Sequence, residues 1–270
     1  MYGDFFKESW KRLFKNLELF VPDVIFYVVS GIVALLIINQ LGLSDLFVAG
    51  DSLLQSKEAL VNFLSTLSPS FILSAIFYFI LFVIVTFIVG SGTDVAKYNM
   101  MTDVLLKKKI NFIRSLTGGA KKFFWRYVGM KILTSVMVLL SLFVLYLIYA
   151  LVAGGNTLVS LVLITLIVMI FFGLWFYFLV PILFLKDIGL NPLFVEGFML
   201  LKKKLSVIVL TFLTIFGVGL AVSIIFEIFD MLFKSFLPLL LINIIVAIII
   251  EVWADLFKFM IYNKIKKAKY

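Results

Sequence analysis

The sequence predicts an all-α, polytopic membrane protein with six transmembrane helices. Two observations lead to this fold class: apolar runs of about 20 residues recur along the chain, long enough to cross a bilayer, and nearly all basic residues fall between them on one side. Hydrophobic residues make up 64% of the chain and charged residues 14%, whereas a soluble domain has roughly 45–50% and roughly 25%. A water-soluble fold could not hide so much apolar surface, so most of it must face lipid or other helices.

Uninterrupted apolar windows define the predicted spans. These windows are continuously apolar and do not alternate with polar residues, which favours helices over a barrel, the other architecture that satisfies the backbone inside lipid. The six predicted spans are Leu19–Leu43, Phe71–Gly92, Tyr127–Val152, Thr157–Leu185, Leu205–Ile225 and Phe236–Met260.

The basic residues predict the orientation of these spans. All Lys and Arg residues except Lys57 and Lys234 lie in or beside four segments: before span one, between spans two and three, between spans four and five, and at the end of span six. The positive-inside rule places such segments in the cytoplasm. The sequence therefore predicts a multi-pass protein of the cell membrane with both termini in the cytoplasm, which requires an even number of spans.

The segments ahead of spans one, three and five share a spacing of side chains. A phenylalanine is followed nine positions later by a lysine in the pairs Phe6 and Lys15, Phe112 and Lys121, and Phe194 and Lys203. Small residues match at Ser9, Ser115 and Gly197, and apolar residues match at Trp10, Leu116 and Phe198. The spacing predicts a threefold internal repeat of helical hairpins, with units 1–98, 107–187 and 190–270 inside a single transmembrane domain of residues 1–270. The alternative is that these segments are the ordinary charged flanks of the spans.

Each repeat unit is expected to begin with a basic amphipathic helix at the cytoplasmic interface. In the first unit Phe6, Trp10, Leu13 and Leu17 share one helical face, which is typical of a helix that presents this face to lipid. Basic side chains in such helices should attract anionic lipid headgroups, and we assign this contact to Lys107, Lys108, Lys109, Lys121, Lys122, Lys202, Lys203 and Lys204. The alternative is that these charges only orient the spans. Nucleic acid is not expected as a partner, because the basic residues lie at the membrane boundary and accompany no nucleic-acid-binding module.

Three carboxylates at membrane depth are the candidate site residues. An ionisable side chain there costs roughly 2.5 to 3.5 kcal/mol on insertion scales and usually serves a function. Glu251 has no basic residue within four positions, Asp255 lies one turn further on the same face, and Asp94 ends span two at a similar depth. If Glu251, Asp255 and Asp94 converge, they would form a cation or proton site, and close carboxylates would raise one another's pKa.

The alternative for these carboxylates is structural. On that interpretation Asp94 and Asp255 are interface residues whose charges are paired with Lys97, Lys258 or Lys131. Glu251 would then be a protonated carboxyl that donates a hydrogen bond to a neighbouring helix.

The sequence resembles a known group of membrane proteins. The residues Phe6-Lys7-Glu8-Ser9-Trp10-Lys11-Arg12-Leu13-Phe14-Lys15-Asn16 with Pro22, the basic helix Asn111–Arg126, and Val180-Pro181 ahead of Leu193–Lys204 form one pattern. This pattern is similar to that of a broad, poorly characterised group of prokaryotic six-helix membrane proteins, which includes the membrane domain fused to some glycerophosphodiester phosphodiesterases. The resemblance implies the six-helix fold. It implies no activity and no binding residues, because the chain shows no counterpart of the phosphodiesterase domain.

The residue types present narrow the function. The chain has no Cys and no His, which excludes thiolate nucleophiles, imidazole bases and the commonest metal ligands, so we predict neither an enzyme nor a metal or cofactor site. Pro181 removes a backbone donor inside span four and predicts a helix break, and repeats with broken helices are common in transporters. The sequence thus favours a transport-like or lipid-interacting protein for a small solute, ion or lipid. The alternative is a non-transporting scaffold that binds anionic lipid or partner proteins.

Overall fold

A computed structural model describes residues 2–41, 68–153, 158–233 and 237–267 of the chain. Within these residues, 94% are helical and none forms a strand. The all-α fold class is therefore confirmed.

The described helices follow one another in the order of the predicted spans. They are α1 (Tyr2–Lys15), α2 (Val21–Gln40), α3 (Pro69–Leu105), α4 (Phe112–Ala153), α5 (Leu158–Phe176), α6 (Leu179–Lys186), α7 (Leu190–Phe233) and α8 (Leu237–Lys267), with a 3₁₀ turn at Leu17–Phe20 between α1 and α2. The predicted span ends Leu43, Thr157 and Phe236 lie outside the described residues.

Five segments of these helices are long and apolar enough to cross a membrane: Leu17–Gln40, Pro69–Leu105, Phe112–Ala150, Leu161–Lys186 and Leu190–Phe229. Large apolar side chains on them are exposed; Leu139, for example, is 65% exposed and Phe143 64% exposed. Water would not tolerate apolar surface of this extent, whereas lipid would. These helices are those of an integral membrane protein. The last helix, α8, is not among these five segments of the described residues.

The chain divides into two compact units, and Pro22–Asp94 forms one of them. It holds α2 and most of α3. A Cβ atom added to Gly90 would lie 3.0 Å from Cε2 of the Phe26 ring, so the missing side chain lets the two helices approach closely, as small residues do between membrane helices. The unit boundary at Asp94 falls inside the first predicted repeat unit, residues 1–98.

The other unit comprises residues up to 21 and those from 95 onward, and its first helix packs on its last. The indole of Trp10 stacks on that of Trp253 at 5.1 Å between centroids, and Phe6 meets Trp253 edge-on at 5.3 Å. Trp253 Nε1 donates a hydrogen bond of 2.8 Å to Ser9 Oγ. The apolar face of α1 was expected to meet lipid, but Phe6 and Trp10 contact Trp253 of α8 instead, and Leu13 is fully buried. The physical reason is that large apolar side chains suit a protein contact as well as a lipid contact.

The three segments predicted as interfacial helices join their spans in different ways. The first ends at Asn16, whose backbone is non-helical (φ −130°, ψ 63°). The third continues into α7, but the chain kinks at Lys204 (φ −137°, ψ 32°). The second runs into α4 without a described break. Asn16 and Lys204 each directly follow the lysine of the shared spacing, so the first and third segments bend at matched positions.

The small residue of each segment lies at a helix contact. Ser9 and Ser115 are buried, and a Cβ atom added to Gly197 would lie 2.6 Å from Cδ2 of Leu179. One turn after Ser115, a Cβ atom on Gly119 would lie 3.2 Å from Cγ1 of Val95. The segments thus pack on α8, α3 and α6 respectively.

The predicted break in span four is present, just before Pro181. Helix α5 ends at Phe176 and α6 begins at Leu179. The amide of Ile182 donates to the carbonyl of Phe178 at 3.0 Å, which starts the new helix. Pro181 lies in the first turn of α6, where a missing backbone donor costs little because that turn has no intrahelical acceptors for its amides.

Candidate functional site

Two of the three candidate carboxylates belong to an ion cluster around a buried lysine. Lys97 of α3 is fully buried, and its Nζ lies 3.3 Å from Glu251 Oε1 and 3.3 Å from Asp255 Oδ2. Lys258 Nζ lies 2.6 Å from Asp255 Oδ1, and the Tyr98 hydroxyl donates to Asp255 Oδ2 at 3.2 Å. Two ammonium groups thus face two carboxylates. We call Lys97, Tyr98, Glu251, Asp255 and Lys258 the ion cluster.

Helical spacing explains why α8 presents these groups together. Glu251, Asp255 and Lys258 are separated by four and three residues, which places them on one face of a helix. The counter-charge comes from Lys97 on another helix, 154 positions from Glu251. A buried ammonium group is tolerated when it is paired and hydrogen-bonded, and both conditions are met here.

This geometry bears on the proposed cation or proton site. Glu251 and Asp255 do come together, and the positive charge that both face is the Lys97 ammonium. The partner of Glu251 across helices is therefore Lys97. Asp94 is the last residue of the other compact unit, Pro22–Asp94.

An aromatic triangle lies next to the ion cluster. Its corners are Tyr98 of α3, Phe184 of α6 and Phe259 of α8. The ring centroids are 5.5 Å apart for Tyr98 and Phe184, 5.7 Å for Tyr98 and Phe259, and 6.5 Å for Phe184 and Phe259. One ring thus comes from the last helix of each predicted repeat unit.

A small basic pocket opens where α1, the end of α3 and the end of α8 meet. We call it the α1–α8 pocket; its volume is about 240 Å³, and its polar lining is Glu8, Arg12, Lys107, Asn263, Lys264 and Lys267. Phe5, Leu105 and Met260 complete the lining with apolar surface. Arg12 donates to Glu8 Oε1 through Nε at 2.9 Å and through an Nη atom at 2.6 Å. Among the described residues, no carboxylate is within ion-pair distance of Lys107, Lys264 or Lys267.

Lys107 enters this pocket from an unusual backbone conformation. The amide of Lys107 donates to the carbonyl of Val104 at 3.2 Å, and the amide of Lys108 donates to that of Asp103 at 2.9 Å. This is the Schellman pattern that ends many helices. Lys107 occupies its left-handed position with φ of 57°, where glycine is usual because a Cβ atom costs roughly 1 kcal/mol or more.

A second, larger pocket of about 450 Å³ borders the end of α1 and the residues that follow α3. Its polar lining consists of Lys15, Asn16, Glu18, Lys108 and Lys109. The predicted lipid contacts Lys107, Lys108 and Lys109 therefore all line pockets. Residues of α1 or of the turn after it line the same pockets.

The remaining predicted lipid contacts divide into two kinds. Lys121, Lys202, Lys203 and Lys204 are exposed. Lys122 instead lies 2.6 Å from Asp187 Oδ2, and Arg126 lies 2.8 Å from Asp187 Oδ1. Burial raises the pKa of the Asp187 carboxyl, but the hydrogen bonds and charges of Lys122 and Arg126 outweigh this effect and hold that pKa below its ordinary value.

Two open apolar grooves separate α4 from α5. They measure about 490 and 540 Å³, and Phe172 lines both. Their lining is otherwise apolar apart from hydroxyls such as those of Thr134, Ser135 and Ser141. These grooves suit hydrocarbon better than a polar solute.

The structural alternative named Lys97 and Lys258 as possible partners of Asp255, and both pairs are present. Sequence reasoning missed that Lys97 also pairs with Glu251 and that Tyr98 donates to Asp255, although the motif Asp94-Val95-Ala96-Lys97 matches Asp255-Leu256-Phe257-Lys258 in spacing. An acidic residue three positions before a lysine, found at two apolar helix ends, was a signal for a shared polar cluster.

The described part of the chain contains no group of three metal-ligating side chains. No protein-family model, curated protein or solved structure matches the chain. The ion cluster and the basic pockets are therefore the features that bear on function.

Proposed function

We propose that this chain is a multi-pass protein of the cell membrane that binds anionic lipid headgroups at its cytoplasmic face. The observation that carries the proposal is the contrast between paired and unpaired positive charge. The two lysines of the ion cluster are neutralised by Glu251 and Asp255, whereas the lysines of the two pockets outnumber the carboxylates there. Positive charge without a carboxylate partner at the boundary of an apolar helix bundle favours anionic lipid.

The proposal includes α8 as the sixth span, with both termini in the cytoplasm. Its charged residues do not oppose insertion strongly, because Lys97 and Lys258 pair with its two carboxylates and reduce the desolvation cost. The basic ends of α3 and α8 both line the α1–α8 pocket, so they belong on the same side, and the positive-inside rule makes that side cytoplasmic.

The proposal also includes the threefold repeat. The first segment packs on α8, the second on α3 and the third on α6, so each packs on the last helix of the preceding unit, and the order closes on itself. The matched bends at Asn16 and Lys204 and the triangle of Tyr98, Phe184 and Phe259 support the same relation. In this arrangement the three basic segments surround one bundle end as interfacial helices. The six-helix group, which the sequence pattern resembles, has the same number of spans.

Lipids that purify with the protein test the headgroup proposal. We expect mass spectrometry of the protein released from mild detergent to show anionic phospholipid enriched over the zwitterionic phospholipid of the same membrane. A variant with Lys108→Gln, Lys109→Gln, Lys202→Gln and Lys203→Gln should lose a large part of this enrichment, at about 1 kcal/mol for each charge near the lipid surface. An unaltered lipid ratio in that variant, with retained folding, would reject the proposal.

Transport of a small solute, ion or lipid is the second candidate, favoured by the broken helix before Pro181 and by Glu251, whose side chain is 49% exposed. Flux into liposomes should then differ between the wild type and Glu251→Gln. Equal flux in both and in empty vesicles would leave the lipid-binding or scaffold role, without catalysis or a cofactor.

A further inference from the structure

The α1–α8 pocket differs from a general basic surface because its charges converge from three separate parts of the chain. Arg12 comes from α1, Lys107 from the end of α3, and Lys264 and Lys267 from the last turns of α8. Four cations face one carboxylate, Glu8, so the pocket carries a net charge of +3. Folding brings these like charges together at a cost that a bound anion would relieve.

The size and lining of the pocket restrict the anion. A volume of about 240 Å³ is below the roughly 300–1,000 Å³ of sites for drug-sized ligands, and it suits a compact group such as a phosphate. A phosphate monoester carries a charge of about −1.5 to −2 near neutral pH and three strongly accepting oxygens. These three oxygens match in number the three chain segments that supply donors to the pocket. A diester, with one charge and two such oxygens, would use the site less fully.

The backbone of Lys107 is a second observation that points to this pocket. The left-handed position that ends α3 disfavours any residue with a Cβ atom, yet it holds a lysine whose side chain lines the pocket. Strain of this kind often marks a binding site, where it is offset by the ligand. Arg12, by contrast, is held in place by its two hydrogen bonds to Glu8.

We infer that the α1–α8 pocket is a specific site for a terminal phosphate monoester, carried either by a membrane lipid or by a soluble ester. This inference rests on the proposed lipid-binding function and assigns it a defined ligand chemistry and place. The apolar lining of Phe5, Leu105 and Met260 and the neighbouring Leu106, which is 53% exposed, can contact the glycerol and first methylenes of a lipid.

Titration calorimetry on the full chain in detergent tests the inference with defined probes. Short-chain phosphatidic acid should bind several-fold more tightly than phosphatidylglycerol of the same chain length, and phosphatidylcholine should not compete. Glycerol phosphate and inorganic phosphate form the second arm. Weaker binding of both identifies the lipid as the source, whereas binding of either as tight as that of phosphatidic acid supports the site and overturns the lipid as its source.

Two variants with equal charge change locate the binding. Lys107→Asn with Lys264→Gln and Lys267→Gln should weaken phosphatidic acid binding by at least about tenfold, since each charge is worth roughly fivefold; asparagine suits the left-handed position of residue 107. The matched control is Lys7→Gln with Lys11→Gln and Arg114→Gln, which removes three exposed charges outside the pocket and should change binding less than about twofold.

A single substitution keeps the test decisive if the triple variant folds poorly. Glu8→Gln removes the one carboxylate of the pocket and releases Arg12, so phosphatidic acid should bind several-fold more tightly, a gain that misfolding cannot produce. Equal losses in the two triple variants would overturn the pocket and leave the general lipid-binding proposal standing. Equal affinity of the wild type for the three phospholipids would overturn both.

Discussion

The ion cluster and the α1–α8 pocket contain the same types of charged residue but differ in how the charges are balanced. In the ion cluster, two lysines and two carboxylates balance, and Lys97 is fully buried. In the pocket, Lys107, Lys264 and Lys267 are exposed and have no carboxylate within ion-pair distance in the described chain. The difference teaches that charge inside the bundle stabilises the fold, while charge at its end is available for a ligand. Substitutions in the two places should therefore separate stability from binding.

The largest effect is expected from Lys97→Met, which keeps the length of the side chain and removes its charge. Glu251 would lose the described cation that faces it, and Asp255 would keep Lys258. The Glu251 side chain is 49% exposed, so no fully buried charge is left without a partner. The free energy of unfolding should fall by about 1.5–3 kcal/mol, the usual contribution of hydrogen bonds to charged groups. Unfolding by a denaturing detergent, followed by circular dichroism, measures it.

The matched control replaces the charge of Glu251 as well. A variant with Lys97→Met and Glu251→Gln removes both charges of the Lys97–Glu251 pair and leaves Asp255 with Lys258. It should recover part of the lost stability, since neutral replacement of both partners is often tolerated. If the single Lys97→Met variant is as stable as the wild type, the ion cluster does not stabilise the fold and the comparison fails.

The second prediction concerns the contact through which α1 rests on α8. Ser9→Ala removes the acceptor of the Trp253 indole and leaves a buried donor unsatisfied, which costs about 1–3 kcal/mol. Because α1 carries Arg12 and Glu8, the same substitution should also weaken phosphate binding in the pocket. Thermal unfolding and phosphatidic acid titration measure the two effects.

Replacing both partners separates the hydrogen bond from the packing. The double variant Ser9→Ala with Trp253→Phe removes donor and acceptor together, so it should be less destabilised than the sum of the two single variants. Strict additivity of the three free energies would show that the hydrogen bond of 2.8 Å contributes nothing.

The sequence predicts helices well here and partners poorly. Runs such as Leu205–Ile225 need only length and apolarity to indicate a span, and both are local properties. The partner of Glu251 is 154 positions away, so no inspection of its neighbours in the chain could find Lys97. Likewise, the face of Phe6, Trp10 and Leu13 is apolar whether it meets lipid or Trp253, and hydrophobic periodicity cannot distinguish the two. The unbroken course of α4 escaped prediction because basic residues such as Lys121 favour helix as strongly as apolar ones do.

The third prediction has opposite signs for stability and for binding. Lys107→Gly relieves the left-handed backbone at φ of 57° and should raise the free energy of unfolding by up to about 1 kcal/mol. It also removes one cation of the pocket and should weaken phosphatidic acid binding by roughly fivefold. Asparagine at this position serves as a control, because it suits the backbone and also lacks the charge. A glycine variant that binds as tightly as the wild type would contradict a ligand role for Lys107.

The smallest effect is expected at Asp187, where the charges are paired but exposed. This residue ends α6 in a left-handed conformation with φ of 55°, which asparagine also tolerates, so Asp187→Asn removes the charge without straining the turn. Its side chain is 41% exposed, and solvent screening limits the pairing with Lys122 and Arg126 to less than about 1 kcal/mol. The melting temperature at neutral pH should therefore fall by a few degrees at most.

The difference in melting temperature between wild type and Asp187→Asn should depend on pH. The folded pKa of Asp187 is lower than its ordinary value, so the stabilisation is complete above the ordinary aspartate pKa of about 3.9 and is lost as the pH falls through the folded pKa. The melting temperatures of wild type and Asp187→Asn should thus differ at pH 7 and converge on acidification. A difference that stays constant on acidification, while the wild-type carboxyl is protonated, would assign it to backbone or packing. The Asp187 charge would then contribute nothing to stability, unlike the charges of the ion cluster.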